Sequence, residues 1–353
     1  MASKSSLPPR SASRSSNGPK GPKQPKRRKK MRWMRFVMLL LLVVLAGIAG
    51  TLGYFYKLSK NAIDTITTDA NPATVIPKAK SVAVKPVSIM LLGLDTRKET
   101  GSLNTDVMMI AAFNPKTKKA TVISIPRDSK IELSGYNSRK ANAYYANFLR
   151  EAEDKTSDKA EADRTAKQGL RKMFGEFFGI PIDYTATINF QGFADVVDAL
   201  HGVDVNVDMD MNYNDHAGQP DGTSIHLKKG FQHLDGEEAL GFVRYRKSND
   251  GKNMSSDFDR NRRQSEVLGE IADKLKSLSG VTKIPGVIKA VGNNMKMDIP
   301  SGEVQKMITT YFGISRSDIT FIPLEGTWRS PYVYLDADKL EQAKAALRQQ
   351  LAD

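Results

Sequence analysis

Residues 244–264 read RYRKSNDGKNMSSDFDRNRRQ. Five arginines (Arg244, Arg246, Arg260, Arg262, Arg263), three aspartates and a terminal glutamine crowd into this stretch, with no apolar run long enough for a core strand. Guanidinium forks bind phosphate through paired hydrogen bonds and keep their charge at any physiological pH. Two readings compete: a surface ion-pair network, and a cradle for a polyphosphate. Spacing sorts the members. Arg260 and Gln264 stand at i, i+4 and share a helix face, with Arg263 three residues past Arg260. Arg244 and Arg246, at i and i+2, converge on one site only through a local irregularity of the backbone. Asp257 and Asp259 fall at the start of that helix, where a carboxylate caps the N-terminus.

A second set of candidates stands at the ends of apolar runs. LLGLDTR supplies Asp95 and Arg97, ISIPRDS supplies Arg127 and Asp128, and NTDVMMI puts Asp106 at the head of a strand. Buried strands of an α/β sheet carry their functional groups at their C-terminal ends. If the first two strands pair as a hairpin, Asp95 and Asp106 come close. Two carboxylates with no lysine beside them suit a hard divalent cation, since Mg²⁺ commonly takes one or two carboxylates plus phosphate oxygens. A pair of turn-capping aspartates is the competing reading. Carboxylate pair, arginine-rich loop and helix start together make the ingredients of metal-assisted phosphoryl transfer.

Other chemistries find no support. There is no Walker loop, no kinase set and no G-x-S-x-G elbow. Cysteine is absent, which excludes disulfides, thiolate metal sites and a cysteine nucleophile. None of the four histidines pairs at a helical metal-ligand spacing, which argues against a zinc enzyme.

The elements that must position these residues follow from composition. The chain of 353 residues has a net charge of +14. Twelve Lys/Arg and no acid fall in residues 1–35, leaving 53 − 12 = 41 basic against 39 acidic residues for the rest. The excess charge therefore belongs to a disordered tail and not to a nucleic-acid-binding domain. Residues 36–56, FVMLLLLVVLAGIAGTLGYFY, run 21 positions without a charge, which at ~1.5 Å per residue crosses the ~30 Å hydrocarbon core. The basic flank KRRKKMRWMR puts the N-terminus in the cytoplasm and all that follows outside the cell membrane. An uncleaved anchor is expected over a cleaved signal peptide. Residues 57–86 read as a polar stalk. From 87 to 353, apolar strands alternate with amphipathic helices. The expected fold is α/β, a central mixed β-sheet with helices on both faces, preceded by one N-terminal transmembrane helix.

Taken together, LLGLDTR, TDVMMIAAFNPKTKKATVISIPRDS, SRKANAYYANF, GIPIDYTATINFQGFADVVDALHGVDVNV, FQHLDGEEALGFVRYR and DFDRNRRQ resemble the LytR-CpsA-Psr family in content and order, over about residues 88 to 270. The resemblance implies transfer of a glycopolymer, wall teichoic acid or capsular polysaccharide, from a polyprenyl-pyrophosphate carrier to peptidoglycan through a phosphodiester. It also implies a prenyl chain lodged in an apolar pocket. By motif, Asp95 and Asp106 would hold Mg²⁺, with Mn²⁺ a candidate substitute. Arg127, Arg244, Arg246, Arg260 and Gln264 would contact the pyrophosphate, Arg97 and Asp257 would belong to the same site, and Asp257 would activate the acceptor hydroxyl. Two alternatives share the sequence: a polyprenyl-pyrophosphate hydrolase, and a non-enzymatic envelope regulator whose basic tail binds DNA or lipid. The ten residues KSNDGKNMSS between Arg246 and Asp257 are longer than the family pattern leads one to expect and read as a flexible surface loop. His201 stands where that pattern leads one to expect glycine.

Overall fold

Strand β1 (Val87–Asp95) alternates its side chains between two cores. Met90, Leu92 and Leu94 enter one, while Val87, Ile89 and Leu91 enter the other. This period of two, apolar on both faces, is what a doubly covered strand requires. The computed structural model describes residues 60–61, 63–70, 76–95, 104–214, 223–277 and 286–352. The tail expected over 1–35 and the span expected over 36–56 lie outside the described residues.

β1 continues into β2 (Asn104–Asn114) and β3 (Lys119–Ser124). Asn114 shapes the turn between the last two, its Oδ1 accepting from the Lys116 backbone at 2.9 Å. Two short strands follow, β4 (Lys130–Ile131) and β5 (Arg139–Lys140), then helices α1 (Ala143–Glu153) and α2 (Lys159–Phe178). Asp158 caps α2 by accepting from Ala160 at 2.9 Å, and Gly179 ends it in the left-handed region at φ 68°. β6 (Tyr184–Asn189) runs directly into α3 (Phe190–Ala199). Then come β7 (Val203–Val207), β8 (Met211–Asn214), β9 (Ser224–Leu227) and β10 (Gly230–Leu234). α4 (Gly236–Arg244) opens with a capping box between Asp235 and Glu238, and α5 (Asp257–Lys276) with one between Ser256 and Asp259. The chain closes with β11 (Met295–Met297), α6 (Ser301–Tyr311), β12 (Ile319–Pro323), β13 (Gly326–Arg329), β14 (Tyr332–Leu335) and α7 (Ala337–Gln350), which Asp336 caps.

The central sheet has the order β11-β6-β1-β2-β3-β12. β1 is parallel to β6, β3 is parallel to β12, and β2 and β11 run antiparallel to their neighbours. The sheet is mixed and carries helices on both faces. α1, α2 and α7 cover one face through Tyr144, Leu170, Phe174 and Leu347. The helical residues 286–291 and α6 pack on the other through Ile288, Val291 and Val304. A satellite core joins β7 to β10 with α4 and Val267 of α5.

One expectation is corrected. The stalk reading of 57–86 does not hold for its described part. Ile63, Ile66 and Val82 are buried in the same core as Ile89, and the Ser81 hydroxyl and Val82 amide both donate to Glu303 at 2.9 Å. Three apolar anchors spaced along a polar stretch were too sparse to show a period. The short strands β4, β5, β8, β9, β13 and β14 were not anticipated either, because two to four residues are too few to carry an alternation signal.

Asp69 also ties this stretch to α2. Lys167, 1 % exposed, bonds Asp69 and lies 2.8 Å from Asp163, which also accepts from Tyr145. Removing the cation leaves two carboxylates poorly hydrated. Lys167→Ala is expected to destabilise the fold by about 3–5 kcal/mol, read as a fall in the urea midpoint. An unchanged midpoint would show that Asp69 and Asp163 reach water.

Candidate functional site

β1, β3, β6 and β12 run one way and β2 the other, so the ends of β1 and β3 share a sheet edge with the start of β2. The β1–β2 register places Asp95 opposite Asn104 and Leu94 opposite Thr105, then slips so that Gly93 faces Val107. Asp106 is the extra residue of that bulge. Bulges bend a strand and re-aim a side chain. A Cβ on Gly93 would come within 2.8 Å of Val107 Cβ, so the tight crossing next to the bulge depends on glycine there.

The Asp106 carboxylate meets Arg127, three residues beyond β3, at 2.7 Å. Arg127 Nε is buried and has no hydrogen-bond partner, a donor left over for a ligand. Asp128 lies 3.9 Å from that Nε and 3.0 Å from Lys140 Nζ, which the β4–β5 hairpin returns to the same spot. Lys140 lies inside the SRKAN motif, yet spacing gave it no role. Asp95 is the last residue of β1; its side chain and all of Arg97 lie outside the described residues.

The irregularity required between Arg244 and Arg246 is the end of α4. Arg244 is the final helical residue, and Tyr245 turns the chain to φ −53°, ψ 131°. Arg244 lies over the Phe190 ring at 3.9 Å, a cation–π contact with the first residue of α3 just past the end of β6. Phe190 was not a candidate from sequence, because an aromatic at a helix start reads as core. On α5, Asp257 and Arg260 form an i, i+3 ion pair, and Gln264 follows one turn later, half-buried. Asp257 therefore pairs with Arg260, and Ser256 is the cap.

Arg127, Arg246 and Arg260 crowd one another. Burial pushes Arg260 down to about 10, and repulsion from Arg246 and Arg127 adds to it, against the attraction of Asp106 and Asp128. Burial also lowers Arg246, with Arg127 again repelling it. Both stay cationic at neutral pH, so the cluster holds its positive charge at an electrostatic cost. A polyanion relieves that cost.

The other two arginines of the opening stretch belong elsewhere. Arg263 is 1 % exposed and grips Asp208 with Nε at 2.8 Å and Nη2 at 2.9 Å, while its Nη1 donates to Ser255 Oγ at 2.9 Å. Arg262 shares Asp208 at 2.7 Å. These two hold α5 against the loop after β7. The KSNDGKNMSS loop is also less free than expected. Asn249 exchanges hydrogen bonds with Asn214 at 2.6 and 2.9 Å, and Asn253 donates to the Asp210 carbonyl at 2.9 Å, because asparagine amides can substitute for strand partners. His201 has φ 60°, which accounts for glycine at that place in the family pattern.

Comparison with known proteins places this geometry. The LytR_cpsA_psr family profile matches residues 52–350. TagV of Bacillus subtilis (strain 168), a polyisoprenyl-teichoic acid–peptidoglycan teichoic acid transferase, is 28% identical over 84% of this chain and 74% of its own length. Its crystal structure covers 76% of this chain and 97% of that chain, with a TM-score of 0.58. TagT of the same organism, a transferase of the same description, is 33% identical over 75% of this chain and 76% of its own. A solved structure of TagT bound to LIIa-WTA covers 81% of this chain and 96% of that chain at 28% identity, with a TM-score of 0.55. With the profile spanning nearly all of the described domain and the arginine cluster at the sheet edge, the chain belongs to the LytR-CpsA-Psr family.

Proposed function

We propose that this protein is a membrane-anchored phosphotransferase that moves an anionic glycopolymer from a polyprenyl-pyrophosphate carrier to peptidoglycan. The observation that carries the reading is the half-buried cluster of Arg127, Arg246 and Arg260, whose guanidiniums repel one another even with Asp106, Asp128 and Asp257 among them. Such a cluster is built for a polyphosphate. The teichoic acid transferases TagV and TagT favour wall teichoic acid as the polymer over a capsular polysaccharide.

In the proposed reaction an acceptor hydroxyl attacks the glycan-bearing phosphorus. The bond from that phosphorus to the polyprenyl phosphate breaks, and a phosphodiester forms. Negative charge grows on the nonbridging and leaving oxygens, where Arg127, Arg246 and Arg260 are already fixed. Arg127 Nε has no hydrogen-bond partner to give up, so it is a spare donor for a phosphate oxygen. Asp257 would receive the hydroxyl proton. Its ion pair with Arg260 places it beside a guanidinium of the cluster.

The residues present fit a divalent cation. Asp106 on the bulge and Asp95 at the end of the neighbouring strand are two acidic residues at one edge, the sparse protein ligation that Mg²⁺ accepts when phosphate completes its shell. When bound there, Mg²⁺, or Mn²⁺ in its place, would neutralise pyrophosphate charge. For the prenyl chain, the sheet face carrying Met109, Ala111 and Val122 has a fringe of partly buried apolar side chains, Leu91, Val107, Leu268 and Phe321 among them. Residues 36–56 as a membrane span, with the N-terminus cytoplasmic and the domain outside, would keep enzyme and carrier in the same two-dimensional space.

The test is to incubate the protein with a lipid-linked teichoic acid precursor, Mg²⁺ and peptidoglycan, and to look by mass spectrometry for glycan phosphate on the acceptor. Arg246→Ala is expected to lower transfer by about 10²-fold or more, with no loss of stability, because it removes a desolvated and repelled cation. Full transfer by this variant would overturn its role. Arg263→Ala should do the reverse at the fold level, costing about 3–5 kcal/mol in urea unfolding by stranding Asp208. Chelation is expected to stop transfer, and Asp106→Asn to raise the Mg²⁺ concentration needed for half-maximal rate. Chelator-insensitive transfer would remove the metal from the scheme. Release of polyprenyl phosphate with no attachment would mark a hydrolase.

A further inference from the structure

We infer that Trp328 is the floor of an acceptor-saccharide subsite, stacking an uncharged sugar ring of the peptidoglycan strand beside Asp128. The inference rests on the transfer reading and names where the sugar bearing the incoming hydroxyl is held. Trp328, on β13, is 53% exposed. Its place is tied to the reacting end of the sheet. Val333, its cross-strand partner, is buried, bridges to Ser129 and donates its amide to the Asp128 carbonyl at 2.9 Å. Lys140 Nζ lies 5.7 Å from the Trp328 ring and 3.0 Å from the Asp128 carboxylate. Arg127, Asp128, Lys140 and Trp328 therefore form one continuous row.

The chemistry of that row fits a sugar. A pyranose ring presents C–H groups on its face and hydroxyls around its rim. The indole takes the face. A carboxylate and an ammonium beside it take the rim as acceptor and donor. Tyr334 is exposed as well, but it pairs with Thr327 and so lies on the opposite face of the hairpin, where Lys130 and Arg329 approach its ring at 5.3 and 5.8 Å. It flanks the subsite without forming its floor.

Two observations assign the row to the acceptor and not to the anionic donor polymer. First, the lysine beside the indole is already compensated: Lys140 pairs with Asp128. A repeating phosphate chain needs uncompensated cations, and a neutral sugar does not. Second, the hairpin stands over the other core. Leu324, just before β13, and Ile131 of β4 belong to the face covered by α1, α2 and α7, whereas the apolar fringe proposed for the prenyl chain lies on the opposite face. In-line displacement brings the nucleophile in from the side away from the leaving group. Carrier on one face and acceptor on the other satisfy that requirement.

The chain has two tryptophans, Trp33 and Trp328, so Trp33→Phe in the full-length protein leaves Trp328 as the sole indole emitter. Titration with soluble oligomers of N-acetylglucosamine alternating with N-acetylmuramic acid amidated at its lactyl carboxyl, so that every ring is uncharged, is expected to give a saturable change in its emission. In the transfer assay, Trp328→Ala should raise the acceptor KM about tenfold, the worth of roughly one stacking contact, while the donor KM and the kcat at saturating acceptor stay in place. Trp328→Tyr should recover most of that loss. A silent emission together with an unchanged acceptor KM would overturn the subsite and leave the transfer reading standing. An emission change produced by poly(glycerol phosphate) and not by the glycan oligomer would overturn it too. Emission that responds to the glycan in a protein that performs no transfer would keep the saccharide site and overturn the transfer reading alone.

Discussion

Like charges do not gather in a half-buried pocket unless something rigid holds them there. Arg127, Arg246 and Arg260 are each partly stripped of water and each within reach of another's field, so the cluster stands uphill of three separate, hydrated guanidiniums. Much of the domain holds that arrangement. Arg127 is fixed by the end of a central strand and by Asp106 across a bulge. Arg246 is fixed by the abrupt end of α4, and Arg260 by the first turns of a capped helix. The elements are stabilised far from the pocket, in the two sheet cores and the satellite core, and the pocket draws on that stability.

Arg262 and Arg263 have the same chemistry and a different task. A guanidinium fork that closes on Asp208 and lies against Phe242 and Tyr245 is a structural clamp. It sets the position of α5 relative to the strands before it, and thereby the position of Arg260 one helical turn away. Stability and function are thus divided among adjacent residues of a single segment. Removing a clamp arginine strands a carboxylate, whereas removing a pocket arginine relieves repulsion.

The proposed reaction asks one site to take a lipid carrier, a pyrophosphate and a glycan strand. The three differ in polarity, and the molecule presents three surfaces that meet at Arg127. A fringe of partly buried apolar side chains lies on one face, the guanidinium cluster at the edge, and an aromatic hairpin with paired charges over the other face. The mixed order of strands makes this meeting possible, since it brings the start of β2 to the same edge as the ends of β1 and β3.

The sequence by itself determined the alternation of apolar strands with amphipathic helices, the helix face that Arg260 shares with Gln264, and the strand ends that carry Asp95, Asp106 and Arg127. These are local signals: hydrophobic period, caps, turns and helical spacing act over a few residues. It also narrowed the chemistry to phosphoryl groups, because few other ligands call for so many arginines beside paired carboxylates. Tertiary structure alone decided which arginines face the pocket, since Arg260 and Arg263 are both legal helix neighbours and only the position of Asp208, more than fifty residues earlier, separates them. It decided as well that Ile63, Ile66 and Val82 belong to the core, that Lys140 returns to Asp128, and that Trp328 stands beside them. Each of those contacts joins residues distant in the chain through elements too short or too sparse to have a period, and burial and charge pairing of that kind exist only once the sheet has formed.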